Sequence, residues 1–273
     1  MSENWLSYFR PNTLPHMWCP GCGNGIAVQA MLRAIDKLQL DRNKVVVVGG
    51  IGCSSRAVSY LDFHTLHTTH GRAVAFATGI KMANPALTVF VVMGDGDASA
   101  IGGNHLIHAA RRNIDLNLLV FNNSIYGMTG GQVSPLTPGG SKTTTSPYGA
   151  IDPPFDLVQL MKGAGATFIA RSTTYHARLL SELIVRAVQH KGLSFVEAVT
   201  HCPTSFGRRN KMPDPVQMLE WQKQSGVLKE KYEQLAPEER VGKYPIGLLH
   251  VAQAPEYCET YAALLKARQQ KPR

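Results

Sequence analysis

The sequence lacks several features that would define its class directly. None of its apolar stretches reaches the roughly 18 residues that a membrane-spanning helix needs, so no membrane span is expected. Its first residues, MSENWLSYFRPN, include Glu3 and no apolar core beside a basic region, which is not the pattern of a signal peptide. Low-complexity tracts and internal repeats are also absent. We therefore expect a globular protein of the cytoplasm.

The sequence also lacks the common nucleotide and nucleic-acid motifs. It has no Walker-type G-x-x-x-x-G-K-[ST] and no motif that reads DNA or RNA. The net charge is nevertheless +9, from 28 Lys and Arg against 19 Asp and Glu. These basic residues are scattered, and the densest group is Arg208, Arg209 and Lys211. Nucleic acid is therefore not expected, whereas an acidic protein partner or a phosphorylated ligand fits the charge.

Cysteine is scarce, and its count is odd. Five cysteines in an expected cytoplasmic chain argue against a disulfide framework. Cys19 and Cys22 form the single C-x-x-C pair, whereas a zinc ribbon needs two such pairs. Cys53 and Cys202 each follow a predicted strand, and four thiolates are what a [4Fe–4S] cluster requires. From residue types alone, these four cysteines could hold a cluster, hold zinc or be unrelated thiols. We interpret Cys258, in the polar C-terminal segment, as a thiol without a role in the site.

Apolar runs and helical patterns alternate along the first 213 residues. Runs such as KVVVVGG, LTVFVVMG and LNLLVFNN are apolar throughout, which is typical of parallel strands buried on both faces. The predicted fold is an α/β domain over residues 1–213, with a mostly parallel twisted sheet and helices on both faces. Ligands of such sheets bind beyond the carboxyl ends of the strands.

Two further segments have sequence patterns unlike the alternating strands and helices of the sheet. Residues 214–273 are polar and helical in pattern, and we predict a C-terminal arm that packs on the core or on a partner. The strand at LSFVEAV is expected to be the last one. Residues 129–154 form a loop rich in Gly, Ser, Thr and Pro, and loops of that length usually bind ligands or cover sites.

Two strand ends carry a signature for a metal-bound diphosphate. Asp95, between Gly94 and Gly96 in GDGD, and Asn123 in the later NN each follow an apolar strand. If the two strands are neighbours, the carboxylate and the amide converge, and both are oxygen ligands suited to Mg²⁺. The helix expected to begin near Gly103 would direct free N–H groups at an anion. A pair of unrelated turns is the simpler alternative.

This pattern resembles the thiamine diphosphate signature, in which GDG is followed by NN. The continuation NNSIYGMTGGQVSPLTP is similar to the β subunits of 2-oxoacid:ferredoxin oxidoreductases, which carry CPGC near the start, GIGCS after the first strand and another Cys after the last. The fold implied is the diphosphate-binding module of thiamine enzymes.

The resemblance assigns roles to individual residues. It implies Mg²⁺ ligation by Asp95, Asn123 and the Ile125 carbonyl, and a [4Fe–4S] cluster held by Cys19, Cys22, Cys53 and Cys202. The remaining predicted contacts with thiamine diphosphate are His70, Gly94, Gly96, Asp97, Tyr126, Thr129 and Gly130. Glycines allow close backbone approach and Thr129 can bond a phosphate, while a structural role for His70 is an equal alternative. The family commonly has S-P-T-T-P where this chain has S-P-L-T-P, so Leu136 replaces a hydroxyl.

The resemblance also implies a reaction and partners. A 2-oxoacid, coenzyme A and oxidised ferredoxin would give acyl-CoA, CO₂ and reduced ferredoxin, or the reverse, with 2-oxoglutarate the best match and pyruvate or a branched-chain acid the alternatives. The catalytic residues are unknown, because the activating Glu is expected in a separate α subunit, within an (αβ)₂ assembly. A non-redox thiamine decarboxylase or synthase subunit and a zinc-stabilised interaction protein are the other classes.

Several polar groups have two interpretations. Arg208, Arg209 and Lys211 are either a docking patch for an acidic ferredoxin or a solvated surface. His64 and His67 share three-residue spacing with His70, and such runs seldom bind a metal. His105 and His108 lie at i, i+3 on a predicted helix, where packing or hydrogen bonding is the expected role.

Overall fold

A computed structural model describes residues 5–269. These residues form one eight-stranded sheet, mostly parallel, which confirms the predicted fold class. The order across the sheet is β2-β1-β3-β4-β6-β5-β8-β7. In chain order the strands are β1 Val45–Gly49, β2 His64–His67, β3 Thr88–Gly94, β4 Asn117–Asn122, β5 Phe168–Thr173, β6 Ser194–Val199, β7 Gly226–Leu228 and β8 Tyr244–Val251.

Helices cover both faces of this sheet. The helices α1, α2 and α6 pack in one apolar core, and α3, α4 and α5 pack in the other. Strand β1 shows why both faces are buried: Val45 and Val47 belong to the first core, whereas Val46 and Val48 belong to the second. The helices are α1 Asn24–Lys37, α2 Ala57–Tyr60, α3 Ala73–Ala83, α4 Gly103–Arg112, α5 Leu157–Gly163, α6 Ala177–Gln189, α7 Pro215–Ser225, α8 Lys229–Tyr232 and α9 Tyr257–Gln269.

The strand order creates a crevice at one edge of the sheet. From β1 the chain crosses to β2 on one side, and it then returns to β3 and β4 on the other. The carboxyl ends of β1, β3 and β4 therefore lie side by side at a topological switch point, where ligands of such folds bind. Asp95 follows β3 directly and Asn123 follows β4 directly, so the two predicted ligands emerge from neighbouring strands.

The C-terminal segment extends the sheet, which the sequence pattern did not predict. Strand β8 pairs antiparallel with β5, and β7 pairs parallel with β8, so the strand at 194–199 is not the last one. Pro245 and Gly247 interrupt the apolar pattern of β8, and both residues weaken a strand prediction. Helices α7, α8 and α9 agree with the helical pattern, while the division into parts at residue 214 stays a prediction.

Two smaller differences also have local causes. Strand β2, HTLH, lies at the sheet edge with both histidines exposed, so it lacks the apolar run of its neighbours. The segment after β3 begins its helix earlier than Gly103, with a π-helical stretch at Asp97–Ile101 ahead of α4. No helix within residues 5–269 combines the length and apolarity needed to cross a membrane.

Candidate functional site

The crevice at the switch point contains a cavity of about 260 Å³, here called the strand-end cavity. Nine of the ten predicted contacts of the coenzyme line it, and Gly130 does not. Its wall comprises Ile51, Gly52, Cys53, Ser54, His70, Gly94, Asp95, Gly96, Asp97, Asn123, Ile125, Tyr126, Gly127, Met128 and Thr129.

Asp95 and Asn123 supply oxygen atoms to this cavity. Both residues are buried, and burial raises the pKa of Asp95 to about 7. Ser134 donates a hydrogen bond of 2.5 Å from Oγ to Asp95 Oδ2. Asn123 Oδ1 accepts the Ile125 N–H at 3.2 Å, which holds the turn after β4. A carboxylate, an amide oxygen and backbone carbonyls are the donor set that Mg²⁺ takes when phosphate oxygens complete its shell.

Asp97 has a different environment from Asp95, although both line the cavity. Its Oδ1 accepts N–H groups from Gly71 at 2.7 Å and from Ile51 at 3.3 Å. His70 Nδ1 lies 2.8 Å from the same oxygen. Burial raises the pKa of Asp97, and the Gly71 and Ile51 N–H groups oppose that rise. The carboxylate thus ties the loops after β1 and β2 to the segment after β3.

Tyr126 closes the cavity against the glycine-rich turn. Its hydroxyl donates to the Gly96 carbonyl at 3.3 Å, and its ring lies edge-on to His70 with centroids 6.1 Å apart. A Cβ atom at Gly96 would overlap the Tyr126 ring, so this position requires glycine. Because the helical segment starts at Asp97, its free N–H groups lie beside this turn rather than at Gly103.

A second cavity of about 280 Å³ adjoins the first, and we call it the cysteine cavity. All four candidate cysteines line it: Cys19, Cys22, Cys53 and Cys202. The two cavities share the residues Cys53, Asn123, Gly127 and Met128, so they lie on either side of one wall. This adjacency joins the GDGD–NN region to the cysteines.

Hydrogen bonds between distant segments position the cysteines. The Cys22 N–H donates to the Cys19 carbonyl at 3.0 Å, which closes the CPGC turn. The Gly23 N–H donates to the His201 carbonyl at 3.0 Å, next to Cys202 in the chain. Trp18 Nε1 donates to the Cys53 carbonyl at 2.7 Å, which connects the segment before the CPGC turn to the loop after β1.

The chemistry of the thiols fits a bound polynuclear centre. Burial, chiefly, raises the pKa of Cys22 to about 12 and that of Cys53 to about 11, and the neighbouring cysteines add to both shifts. Forming thiolates here therefore requires a strong positive charge among them. Within the described part of the chain no three His, Cys, Asp or Glu side chains are grouped so as to hold one metal ion.

Gly127 lies between two of the sulfur atoms. A Cβ atom on this residue would stand 3.6 Å from Cys53 Sγ and 3.7 Å from Cys202 Sγ. The four thiols thus border a shared space, and four cysteine ligands are the set that a [4Fe–4S] cluster takes. Sequence reasoning missed Gly127, because nothing in NNSIYGMTGG distinguishes it from the glycines that follow.

Ser134 is the second functional candidate that sequence reasoning missed. It begins the S-P-L-T-P stretch, which was a visible signal, but its distance from Asp95 along the chain concealed the contact. Leu136 of the same stretch is buried in the apolar core, which explains an apolar residue there. Thr129 bonds Gln132, and Gly130 instead contacts Arg209, whose Nη2 donates to its carbonyl at 3.4 Å.

The other polar candidates lie outside both cavities. His64 and His67 are exposed at the ends of edge strand β2. His105 is 2.5 Å from Arg72 Nη1, and burial followed by the charge of Arg72 lowers its pKa. Arg208, Arg209 and Lys211 are exposed. Cys258, on α9, is buried in the apolar core.

Comparisons with known proteins identify the family. The family described as "Thiamine pyrophosphate enzyme, C-terminal TPP binding domain" matches residues 50–198, so the chain has the thiamine diphosphate-binding fold. The 2-oxoglutarate synthase subunit KorB of Methanothermobacter marburgensis is 48% identical over 99% of this chain and 95% of its own length. The subunit of the same name from Methanocaldococcus jannaschii is 48% identical over 96% of this chain and 97% of its own.

A solved structure agrees with these relatives. The 2-oxoglutarate:ferredoxin oxidoreductase from Magnetococcus marinus, with 2-oxoglutarate, coenzyme A and succinyl-CoA bound, matches with a TM-score of 0.87 at 33% identity. The match covers 98% of this chain and 91% of that one. The chain therefore belongs to the β subunits of 2-oxoacid:ferredoxin oxidoreductases, in the KorB group.

Proposed function

We propose that this chain is the β subunit of an enzyme that converts 2-oxoglutarate, coenzyme A and oxidised ferredoxin to succinyl-CoA, CO₂ and reduced ferredoxin, or runs the reverse carboxylation. The two electrons released from the 2-oxoacid pass to ferredoxin one at a time. The observation that carries the proposal is the wall of Cys53, Asn123, Gly127 and Met128 that the strand-end and cysteine cavities share. The substrate follows from the names of the KorB relatives and of the Magnetococcus marinus enzyme.

The strand-end cavity would hold thiamine diphosphate through Mg²⁺. The proposed protein ligands are Asp95, Asn123 and the Ile125 carbonyl. The charge of the ion offsets the burial that raises the pKa of Asp95, so metal binding would displace the proton from this carboxyl. The other proposed contacts of the coenzyme are His70, Gly94, Gly96, Asp97, Tyr126, Thr129 and Gly130.

The cysteine cavity would hold a [4Fe–4S] cluster on Cys19, Cys22, Cys53 and Cys202. When bound, the coenzyme supplies the nucleophile and electron sink for a 2-oxoacid, and the cluster supplies a one-electron acceptor. The chain itself would set the positions of the two bound groups relative to each other. Cys53 borders both cavities, so a group bound to its sulfur would lie beside the coenzyme.

The partners follow from the family. The activating Glu is expected on a separate α subunit, as the family resemblance implies. We propose an (αβ)₂ assembly in the cytoplasm that transfers electrons to ferredoxin. Arg208, Arg209 and Lys211, which are exposed and follow Cys202 in the chain, are candidates for its docking patch.

The test is anaerobic co-purification with the α subunit. We expect a brown complex that bleaches with dithionite and contains iron, acid-labile sulfide, magnesium and thiamine diphosphate. Activity with 2-oxoglutarate, pyruvate and branched-chain 2-oxoacids, using a viologen dye as acceptor, then identifies the substrate. Stoichiometric zinc without acid-labile sulfide would contradict the proposal, and faster turnover of pyruvate would contradict the assigned substrate.

A further inference from the structure

The loop between β4 and α5 carries much of the proposed site. Residues 123–156 include Asn123, Ile125, Tyr126, the shared wall at Gly127, and Ser134, which bonds Asp95. No helix or strand is assigned within this loop. Hydrogen bonds within the loop, such as that from the Tyr126 N–H to the Gln132 carbonyl at 3.1 Å, shape it locally. Its position over the sheet also depends on how its two ends are anchored.

A buried ion pair anchors both ends of this loop. At the first end, Asn122 Nδ2 donates to Glu197 Oε1 at 2.8 Å. Arg171 Nε donates to the other oxygen, Glu197 Oε2, at 2.7 Å. At the second end, Arg171 Nη2 donates to Asp156 Oδ1 at 3.1 Å, and Asp156 also caps α5.

The position of the pair makes a purely stabilising role a poor explanation. The side chains of Arg171 and Glu197 are only 10% and 3% exposed, in the middle of the sheet on β5 and β6. Removing two charges from water opposes their mutual attraction, so buried pairs are weak sources of stability and serve better to fix a geometry. Here the geometry fixed is that of the loop.

A path of hydrogen bonds leads from the pair to Asp95. Asn122 Oδ1 accepts the Ser124 N–H at 3.0 Å, which holds Ser124 at a φ of 61°. Ser and other L-residues rarely adopt that conformation, so the turn needs such support. The Ser124 carbonyl accepts Thr137 Oγ1 at 2.6 Å, and that hydroxyl accepts the Ser134 N–H at 2.9 Å. Ser134 completes the path at Asp95.

We propose that Arg171 and Glu197 are positioning residues: they clamp both ends of the 123–156 loop so that Asn123, the Ile125 carbonyl and Ser134 meet Asp95 in the geometry for Mg²⁺. This proposal rests on the proposed function for the identity of the bound ion. The clamp itself is a property of the chain. Arg171 and Glu197 line neither of the two cavities.

Two variants break the clamp and leave the buried pair in place. Asn122→Ala detaches the first end and also removes the acceptor of the Ser124 N–H. Asp156→Ser detaches the second end while keeping an N-cap residue for α5, so it tests the contact with Arg171 by itself. Glu182→Ser is the matched control, because it removes an exposed carboxylate from Arg178 that is as accessible as Asp156. The complex with the α subunit is titrated with thiamine diphosphate at several Mg²⁺ concentrations, and amide hydrogen exchange is followed over residues 123–137.

The two measurements separate the proposals. A direct outer partner of a metal ligand is usually worth about 10- to 100-fold in affinity. Asn122 reaches Asp95 only through Ser124, Thr137 and Ser134, so we expect Asn122→Ala to weaken Mg²⁺-dependent coenzyme binding by about 10-fold, the lower end of that range. Asp156→Ser should have a smaller effect in the same direction, and excess Mg²⁺ should partly restore both. Exchange in the loop should be faster in both variants, with unchanged iron content and with no change in Glu182→Ser.

Unchanged exchange in the loop would overturn the clamp, and so would unchanged coenzyme affinity in variants with a lowered melting temperature. If the wild-type complex binds no thiamine diphosphate, the proposed function fails, while faster loop exchange in the variants would still support the clamp.

Discussion

The strand-end cavity and the cysteine cavity share a wall but are assembled differently. The first is built mainly from residues that directly follow β1, β3 and β4, three adjacent strands whose ends the sheet itself aligns. The second is assembled from four places: the CPGC turn before α1, the loops after β1 and β6, and the Gly127 region. The sheet therefore positions one site, and hydrogen bonds between loops position the other.

The proposed ligand side chains of the two cavities also differ in their hydrogen bonding and protonation. Asp95 already accepts a hydrogen bond from Ser134, so its cavity is ordered by protein contacts. In the cysteine cavity, burial raises the pKa of Cys22 and Cys53, so these thiols remain protonated until a cation group binds. We expect substitutions in one cavity to leave ligand binding in the other largely intact. The predictions below test that independence.

The largest effect is expected from Cys202→Ser. Removing one of four proposed cluster ligands should abolish the brown colour, the acid-labile sulfide and the reduction of viologen by the complex. Coenzyme binding should change by less than about threefold, or about 0.7 kcal/mol, because Cys202 does not line the strand-end cavity. Iron and sulfide analysis with a coenzyme titration checks this. Full iron content in the variant would remove Cys202 from the ligand set.

The converse variant is Asp95→Asn. It keeps the size of the side chain and an acceptor for Ser134 but removes the charge, so Mg²⁺-dependent coenzyme binding should fall by more than the roughly 100-fold upper range for outer partners. Iron and sulfide content should not change. Asp62→Asn, which removes an exposed carboxylate from Arg42, is the matched control. Joint loss of coenzyme and cluster would show that the cavities are not independent.

The same difference explains how much the sequence could predict. Apolar runs reveal parallel strands, and a parallel sheet brings the residues after adjacent strands together, so GDGD and NN predicted one site from spacing alone. Nothing comparable relates Cys19 to Cys202, and without the family resemblance the cysteines allowed three interpretations. Their common cavity depends on bonds such as Gly23 to His201, which no pattern encodes.

The features that the sequence did not predict are defined by tertiary contacts. Strand β8 contains Pro245 and Gly247 and exists because β5 offers it an open edge. Ser134 reaches Asp95 only after the long loop folds back over the sheet. The π-helical stretch at Asp97–Ile101 lies where Asp97 is held by the loops after β1 and β2. Local sequence carries little information about such contacts.

An intermediate effect is expected from Gly127→Ala, in the wall that the two cavities share. The backbone of Gly127 does not have a positive φ, and an added Cβ atom would meet the protein at ordinary contact distances of 3.6 Å or more. The chain alone therefore tolerates alanine, and the methyl group competes only with what lies between Cys53 and Cys202. Overpacking of about 1–3 kcal/mol should lower iron and sulfide content without lowering the melting temperature of the cluster-free chain. Unchanged iron content would exclude a cluster from this space.

The smallest effect is expected from Cys258→Ser, the counterpart of Cys202→Ser. Cys258 is buried like Cys202, but it lies on α9 in the apolar core and lines neither cavity. Burying a hydroxyl in place of a thiol should reduce the free energy of unfolding by about 1–3 kcal/mol. Iron, sulfide and coenzyme content should stay at wild-type levels, because the residue borders neither cavity. A urea titration measures the stability, and chemical analysis measures the iron, sulfide and coenzyme content. Loss of iron in this variant would show that a cysteine can affect cluster content without lining the cysteine cavity.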